Sequence, residues 1–379
     1  MRVLMLGGTG AMGRPLAGIL ASEGAEVVIT SRSRSGTGKK GIGYRQGNAR
    51  DNGFLKRLLE DFYDVIIDFM VYGEAEFTQR MELLLTSCGQ YIFLSSGRVY
   101  DGSDFRMTEV SPRLLESCRD ADYLKTDEYA LSKARQEDRL RESGYANWTI
   151  VRPYITYSEQ RLQLGVFEKE QWLYRALKGR TIVFAKDIAE KRTTLTCALD
   201  VAEALAKIAG NPEAFGEAVQ LAAPCDISWK EALDIYLDVL EEKTHRRPKV
   251  YWMDESIGLA QRLGNVFQVK YDRLFHRRFN SEKADRICGE PLRYRDAGTG
   301  LKACLEEFLD GDREFRDISW KAEAFMDRLT GERTPFKEIP SFKRKAAYFL
   351  RRCLPGDAPG MRKLEQGVGL GKEFKERRA

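Results

Sequence analysis

The 379-residue chain carries 43% hydrophobic and 31% charged side chains, which suits one large folded domain or two modest ones and excludes a disordered chain. Its 62 Lys and Arg against 57 Asp and Glu leave a net charge of +5, too even a mixture to mark a nucleic-acid binder. The excess sits in residues 335–379, where twelve Lys and Arg face five Asp and Glu.

In chain order, short apolar runs at 3–6, 26–30, 64–69, 91–94 and 148–151 alternate with amphipathic stretches. That alternation predicts an α/β fold with a parallel, doubly wound sheet. Further strands are predicted at 181–184 and 218–221, and helices at 199–210 and 229–242. Residues 1–155 read as a cofactor-binding domain, with 181–215 completing its sheet. Residues 156–180 and 216–310 read as a smaller α/β substrate-binding part, and 311–379 as an extra helical, basic segment.

The first strand runs straight into Gly7-Gly8-Thr9-Gly10-Ala11-Met12-Gly13 and then a helix with Pro15 in its first turn, where a missing N–H costs nothing. Gly7 permits the tight turn, Gly10 lets backbone approach a pyrophosphate, and Gly13 allows close helix packing. Free N–H groups at the helix start then face the phosphates. With Leu16, Ile19 and Leu20 at core spacing behind it, this turn predicts a bound dinucleotide.

An acid normally ends the second strand and accepts from the ribose 2′-hydroxyl of NAD. Here Ser31, Arg32, Ser33 and Arg34 follow instead. A guanidinium matches phosphate oxygens, so NADP is favoured over NAD. An Arg32 that points to solvent would leave NAD open.

After the run 91–94 come Ser95, Ser96, Gly97 and Arg98, and a helix predicted over 127–141 sets Tyr129 and Lys133 on one face. An ammonium beside a phenol favours phenolate, and the Ser96 hydroxyl can hold the reacting oxygen. Joined to the glycine turn, this set predicts proton transfer coupled to redox chemistry.

Further along stand Val151-Arg152-Pro153-Tyr154, Leu199-Asp200-Val201-Ala202-Glu203-Ala204, Asn280-Ser281-Glu282-Lys283 and Gly300-Leu301. With these in order, residues 1 to 309 resemble the short-chain dehydrogenase/reductase superfamily, in its extended sugar-nucleotide epimerase/dehydratase branch. The resemblance implies a Rossmann fold, a nucleotide-sugar substrate and a homodimer formed through helices near Arg80 and Tyr129. It gives Ser96, Tyr129 and Lys133 the catalytic roles, with Lys133 also on the nicotinamide ribose. Thr9, Ala11 and Met12 would line the turn, Asn48 and Ala49 the adenine, and Pro153 and Tyr154 the nicotinamide. An Asp is usual where Asn48 stands. Phe69, Met70, Val71 and Tyr72 stand at the cofactor wall where small residues are usual. Arg98, Arg161, Arg192, Arg277 and Arg278 are the implied substrate contacts.

Dehydratases of that branch place an Asp-Glu pair where this chain has Gly97 and Arg98, which disfavours loss of water. Epimerisation by transient oxidation at a ring carbon is the leading expectation. An NADPH-dependent reductase of a keto-sugar or other carbonyl compound is the alternative. A non-catalytic or nucleic-acid-associated protein is a third class, against which the intact Ser96, Tyr129 and Lys133 argue.

Trp172, Tyr174, Trp229, Tyr251 and Trp252 read as core rather than base-stacking residues. Seven scattered cysteines with His245 and His276 give no zinc or disulfide spacing, so no metal is expected. No signal peptide and no membrane span of ~20 apolar residues is readable, which gives a cytoplasmic reading. Residues 342–354 mix Lys and Arg with Phe, Tyr and Leu. Packing on its own domain is the plainer expectation there, with peripheral membrane contact as the alternative. Residues 356–379 read as mobile.

Overall fold

A computed structural model describes residues 1–38, 40–312 and 314–353; the expectation for 356–379 lies outside the described residues. Seven parallel strands build the main sheet: β1 (Arg2–Leu6), β2 (Glu26–Ser31), β3 (Ile42–Gln46), β4 (Tyr63–Asp68), β5 (Cys88–Leu94), β6 (Trp148–Pro153) and β7 (Glu217–Leu221). Their spatial order is 3-2-1-4-5-6-7, and Gly36–Thr37 adds a short antiparallel eighth strand on β3.

The central strands carry apolar residues on both faces because both faces are covered. Val3 and Met5 join the core beneath helices Gly13–Ser22 and Ala198–Ile208, while Leu4 and Leu6 join the opposite core with Leu55, Phe77 and Leu140. Strand order reverses at β1, and Leu6 pairs with Asp68 at the carboxyl ends of β1 and β4. A crevice at that switch point is where doubly wound sheets bind ligands.

The segment expected to complete this sheet does not. Ile182–Ala185 pairs with Val250–Met253 in a separate two-stranded sheet. Instead β7 takes the free edge of β6, after the helix Ala198–Ile208 packs back against Gly13–Ser22. The chain accordingly forms two compact units. The first holds Met1–Arg161, Arg192–Ile227 and Phe275–Leu301, and the second holds Leu162–Lys191, Ser228–Leu274 and, of the described residues, those from Lys302 to Cys353.

Within the second unit, Trp172 stacks on Tyr236 with ring centroids 4.5 Å apart, and Trp229 is buried. Tyr174 packs edge-on against Trp320. These three are core residues, whereas Tyr251 and Trp252 stay partly exposed. Arg175 on helix Lys169–Leu177 is fully buried and donates to Glu323 (2.9 Å) and Asp327 (2.8 Å) of helix Trp320–Thr330, and to Glu332 (3.1 Å). Among the described residues, no helix is long and apolar enough to cross a membrane, and no three His, Cys, Asp or Glu converge as a metal site.

Candidate active site

All residues described next belong to the first unit. Gly7 sits at φ +71°, and a side chain there would meet the Met70 sulfur at 2.8 Å. A Cβ at Gly13 would lie 2.3 Å from the Gly8 carbonyl oxygen, so only glycine lets the helix start this close to the turn. Gly10 faces open space, with nothing within 4 Å of where a Cβ would be. The helix Gly13–Ser22 that follows has no side-chain cap and no acid in its first turn. Its positive end therefore suits a phosphate, although the Arg14 N–H is taken by the Gly10 carbonyl at 3.1 Å and Pro15 has none. The Gly7 N–H donates to the Thr30 hydroxyl at 3.0 Å, tying the turn to β2.

At the end of β2, the Ser31 hydroxyl accepts from the Ser33 and Arg34 N–H groups, and Arg32 is exposed with its carbonyl taken by Gln46. Asn48 is exposed, and its side chain accepts from the Arg50 N–H in the turn after β3. Ala49 is buried beneath, and its carbonyl accepts from the buried Arg80 at 3.2 Å.

The unusual 69–72 segment takes its path from Asp68, a fully buried acid at the end of β4. One Asp68 oxygen accepts from the Met70 N–H (2.9 Å) and the Tyr72 hydroxyl (3.3 Å), and the other from the Tyr91 hydroxyl (2.9 Å). The helix Tyr129–Arg141 is stapled to the same segment, because Gln136 donates to the Tyr72 carbonyl at 2.8 Å and Lys133 to the Met70 carbonyl at 3.4 Å. A second clamp lies beneath, where Glu137 accepts from Ser95 (2.5 Å) and from Arg152 (2.8 and 2.6 Å). Arg152 also donates to the Tyr100 hydroxyl at 2.8 Å, so its side chain anchors the helix to β5 and β6. This buried pair is costly to break on one side.

On the helix so clamped, the Tyr129 phenol shares a hydrogen bond with Ser96, one turn from Lys133. Burial pushes the Tyr129 phenol up, and Arg98, the Ser96 hydrogen bond and Arg161 pull against it. The Arg98 guanidinium lies 5.4 Å from the Tyr129 ring centre and is held there by Glu128 at 2.7 Å. The expectation gave Lys133 the place of the neighbouring cation. In the structure Lys133 is 1% exposed, 4.3 Å from the Phe93 ring centre, and burial brings it down to about 8 against the opposing charges of Asp68 and Glu137.

Gly97 lies against Tyr154 and Phe279, whose atoms would be 3.1–3.2 Å from an added Cβ. Any side chain at 97 would therefore need Tyr154 and Phe279 to give by a few tenths of an ångström. Tyr154 is buried on Phe279, and Pro153 is half-buried beside it.

The remaining arginines divide. Arg161 is half-buried and donates to Thr156, Arg192 pairs with Asp226 at 2.5 Å, and Arg278 reaches the Asp104 carbonyl. Arg277 departs from the expected substrate contact, being 1% exposed and donating to the Tyr100 and Asp101 carbonyls at 3.0 Å, so it holds a loop. His276 accepts from the Arg192 N–H at 3.0 Å. Sequence reasoning missed Asp68, Glu128 and Glu137. An acid directly after the apolar run Val65-Ile66-Ile67 was the available signal for Asp68.

Comparison with known proteins agrees with this architecture. A curated relative, chloroplast stem-loop binding protein of 41 kDa b from Arabidopsis thaliana, is 27% identical over 232 residues. The match covers 57% of this chain and 57% of that protein, so it spans little more than half of the relative's length. Among solved structures, the epimerase Mth375 from Methanothermobacter thermautotrophicus is similar with a TM-score of 0.64 at 18% identity, over 82% of this chain and 92% of that one. UDP-glucuronic acid 4-epimerase from Bacillus cereus, solved with UDP-glucuronic acid and NAD, has a TM-score of 0.62 at 15% identity, over 82% and 99%. The sequence model of one family matches residues 3–222, taking in the glycine turn, the β5 serine and the Tyr129 helix, and the chain belongs to that NAD-dependent epimerase/dehydratase family.

Proposed function

We propose that this protein is a nicotinamide-dependent epimerase of a nucleotide-activated sugar, with Tyr129 moving the proton at the reacting carbinol. The observation that carries this reading is the meeting of the Ser96 hydroxyl with the Tyr129 phenol, one helical turn from Lys133 and, through Met70, in contact with the glycine turn. The open Gly10, the uncapped helix start and the absence of an acid in its first turn fit a dinucleotide pyrophosphate. Gly7 to Gly13 would hold that group, Ser31 and Arg32 the adenosine ribose, and Asn48 and Ala49 the adenine. Phe69, Met70, Pro153 and Tyr154 would wall the nicotinamide end, with Lys133 on its ribose. The chemistry the nicotinamide supplies when bound is reversible hydride acceptance.

The chain's own groups do the rest. Ser96 orients the substrate hydroxyl, and Tyr129 removes its proton and gives it back. Arg98 and Arg161 favour the phenolate that this requires. Lys133, in the field of Asp68, is a donor to sugar hydroxyls rather than the cation that tunes the phenol. Arg161, Arg192 and Arg278 remain as contacts for a substrate diphosphate. Gly97 and Arg98, where dehydratases of the branch carry an Asp-Glu pair, support epimerisation over dehydration. A uridine diphosphate sugar, of the kind bound by the Bacillus cereus enzyme, is the first substrate to try.

The absence of an acid at the end of β2 favours NADP, while the exposed Arg32 leaves NAD open. That absence also favours one second reading, an NADPH-dependent reductase of a keto-sugar or other carbonyl compound. Mass spectrometry of the dinucleotide released from purified protein separates them. A retained dinucleotide supports internal recycling, whereas an empty site with one NADPH consumed per turnover supports the reductase.

A further inference from the structure

The helix Phe342–Cys353 holds Lys343, Arg344, Lys345, Arg351 and Arg352 and no acid. One side of it is fixed within the second unit. Tyr348 is buried, donates to Asp327 at 2.6 Å, accepts from the Thr334 N–H at 2.8 Å, and packs with Trp320, Ala324 and Ile339. Arg352 adds a hydrogen bond to the Glu332 carbonyl at 2.9 Å. The plainer sequence expectation, packing on its own domain, therefore accounts for this side alone.

Another side points outward. At 3.6 residues per turn, Phe342, Ala346 and Phe349 fall within about 60° of one another around the axis, roughly a quarter turn or more away from Tyr348. Phe342 is 87% exposed and Phe349 52%, and Phe336, just before the helix, is 49% exposed. Two outward phenyl rings on one stripe, flanked by Lys343 and Lys345, ask for a partner that offers apolar matter and negative charge a few ångströms apart. A nucleic-acid duplex offers the charge without the apolar phase. The boundary between anionic headgroups and acyl chains offers both.

We propose that Phe342–Cys353 docks this protein on an anionic membrane surface, with Phe342 and Phe349 in the headgroup–acyl boundary and Lys343 and Lys345 on lipid phosphates. Tyr348 and its hydrogen bonds hold the helix rigid, so no folding is needed on contact. The docking is independent of the proposed reaction, since none of these residues belongs to the first unit.

The test is co-sedimentation of the full chain with phosphatidylcholine vesicles, with and without phosphatidylserine. Binding is expected with phosphatidylserine only and should weaken as salt rises. The double variant F342S/F349S should bind about tenfold less tightly with an unchanged thermal midpoint, and K343Q/K345Q should flatten the salt dependence. The inference is overturned if the wild type ignores phosphatidylserine vesicles. It is equally overturned if F342S/F349S binds as well as the wild type, which would assign the attraction to charge elsewhere in the chain. Single-stranded RNA that binds more tightly than the vesicles, and still binds F342S/F349S, would also overturn it by making nucleic acid the partner.

Discussion

The glycine turn at residues 7–13 and the carboxylate cluster around Arg175 are both tightly specified, by opposite means. The turn works by absence. No side chain at 13 clears the Gly8 carbonyl, no acid stands at the helix start, and Gly10 is left open for a ligand. The Arg175 cluster works by saturation, with one buried guanidinium drawing in Glu323, Asp327 and Glu332 from a segment about 150 residues later. Burial raises Glu323 to about 7 despite Arg175, whereas Asp327, which burial also opposes, is held down by Tyr348, Arg175 and Thr334. The first arrangement is built to receive a charged group. The second closes a core, and each should fail in its own way.

The largest effect is expected at the chemistry that the turn serves. Tyr129→Phe should lower turnover about 10²–10⁴-fold while dinucleotide affinity, measured by fluorescence titration, stays nearly the same. Arg175→Met should cost about 3–5 kcal/mol in denaturant unfolding, because it leaves buried carboxylates without their counter-charge. Dinucleotide binding should survive that change. Gly13→Ala should do the reverse, costing about 1–3 kcal/mol from crowding against Gly8 and weakening dinucleotide binding most of all. A variant at either place that damages both properties equally would erase the contrast.

The smallest effect concerns pH. Burial brings Lys133 from its ordinary 10.5 to about 8, so the folded protein binds fewer protons than the unfolded chain between those values. Charged Lys133 therefore costs stability at neutral pH, and the cost is relieved as pH rises from about 8 toward 10.5. If the ammonium is needed for turnover, activity should decline above about pH 8. Asp68→Asn removes the main charge that opposes the downward shift, so this alkaline limb should move to lower pH. An unmoved limb would detach Asp68 from Lys133.

The same contrast explains what could be read in advance. The turn, the strands of the doubly wound sheet and the Tyr129–Lys133 spacing are local patterns, and β1, β2 and β6 lie close to where periodicity put them. Partnerships across long separations were not legible. Residues 182–185 look like any buried strand, and only Val250–Met253 decides which sheet they join. The Glu137–Arg152 clamp and the Asp68 hub each need two or three elements in place before their charges make sense. Arg277 shows the limit from the other side, since an arginine's sequence position says nothing about whether it faces a ligand or a carbonyl.

The most direct test of the central claim is NMR of uridine diphosphate sugars, UDP-glucuronic acid first, incubated with the purified protein while dinucleotide absorbance is followed. Inversion at a ring carbon with no net change in reduced dinucleotide, lost in Tyr129→Phe, is the result expected. Stoichiometric oxidation of NADPH without an epimer, or an epimer formed equally by Tyr129→Phe, would contradict it.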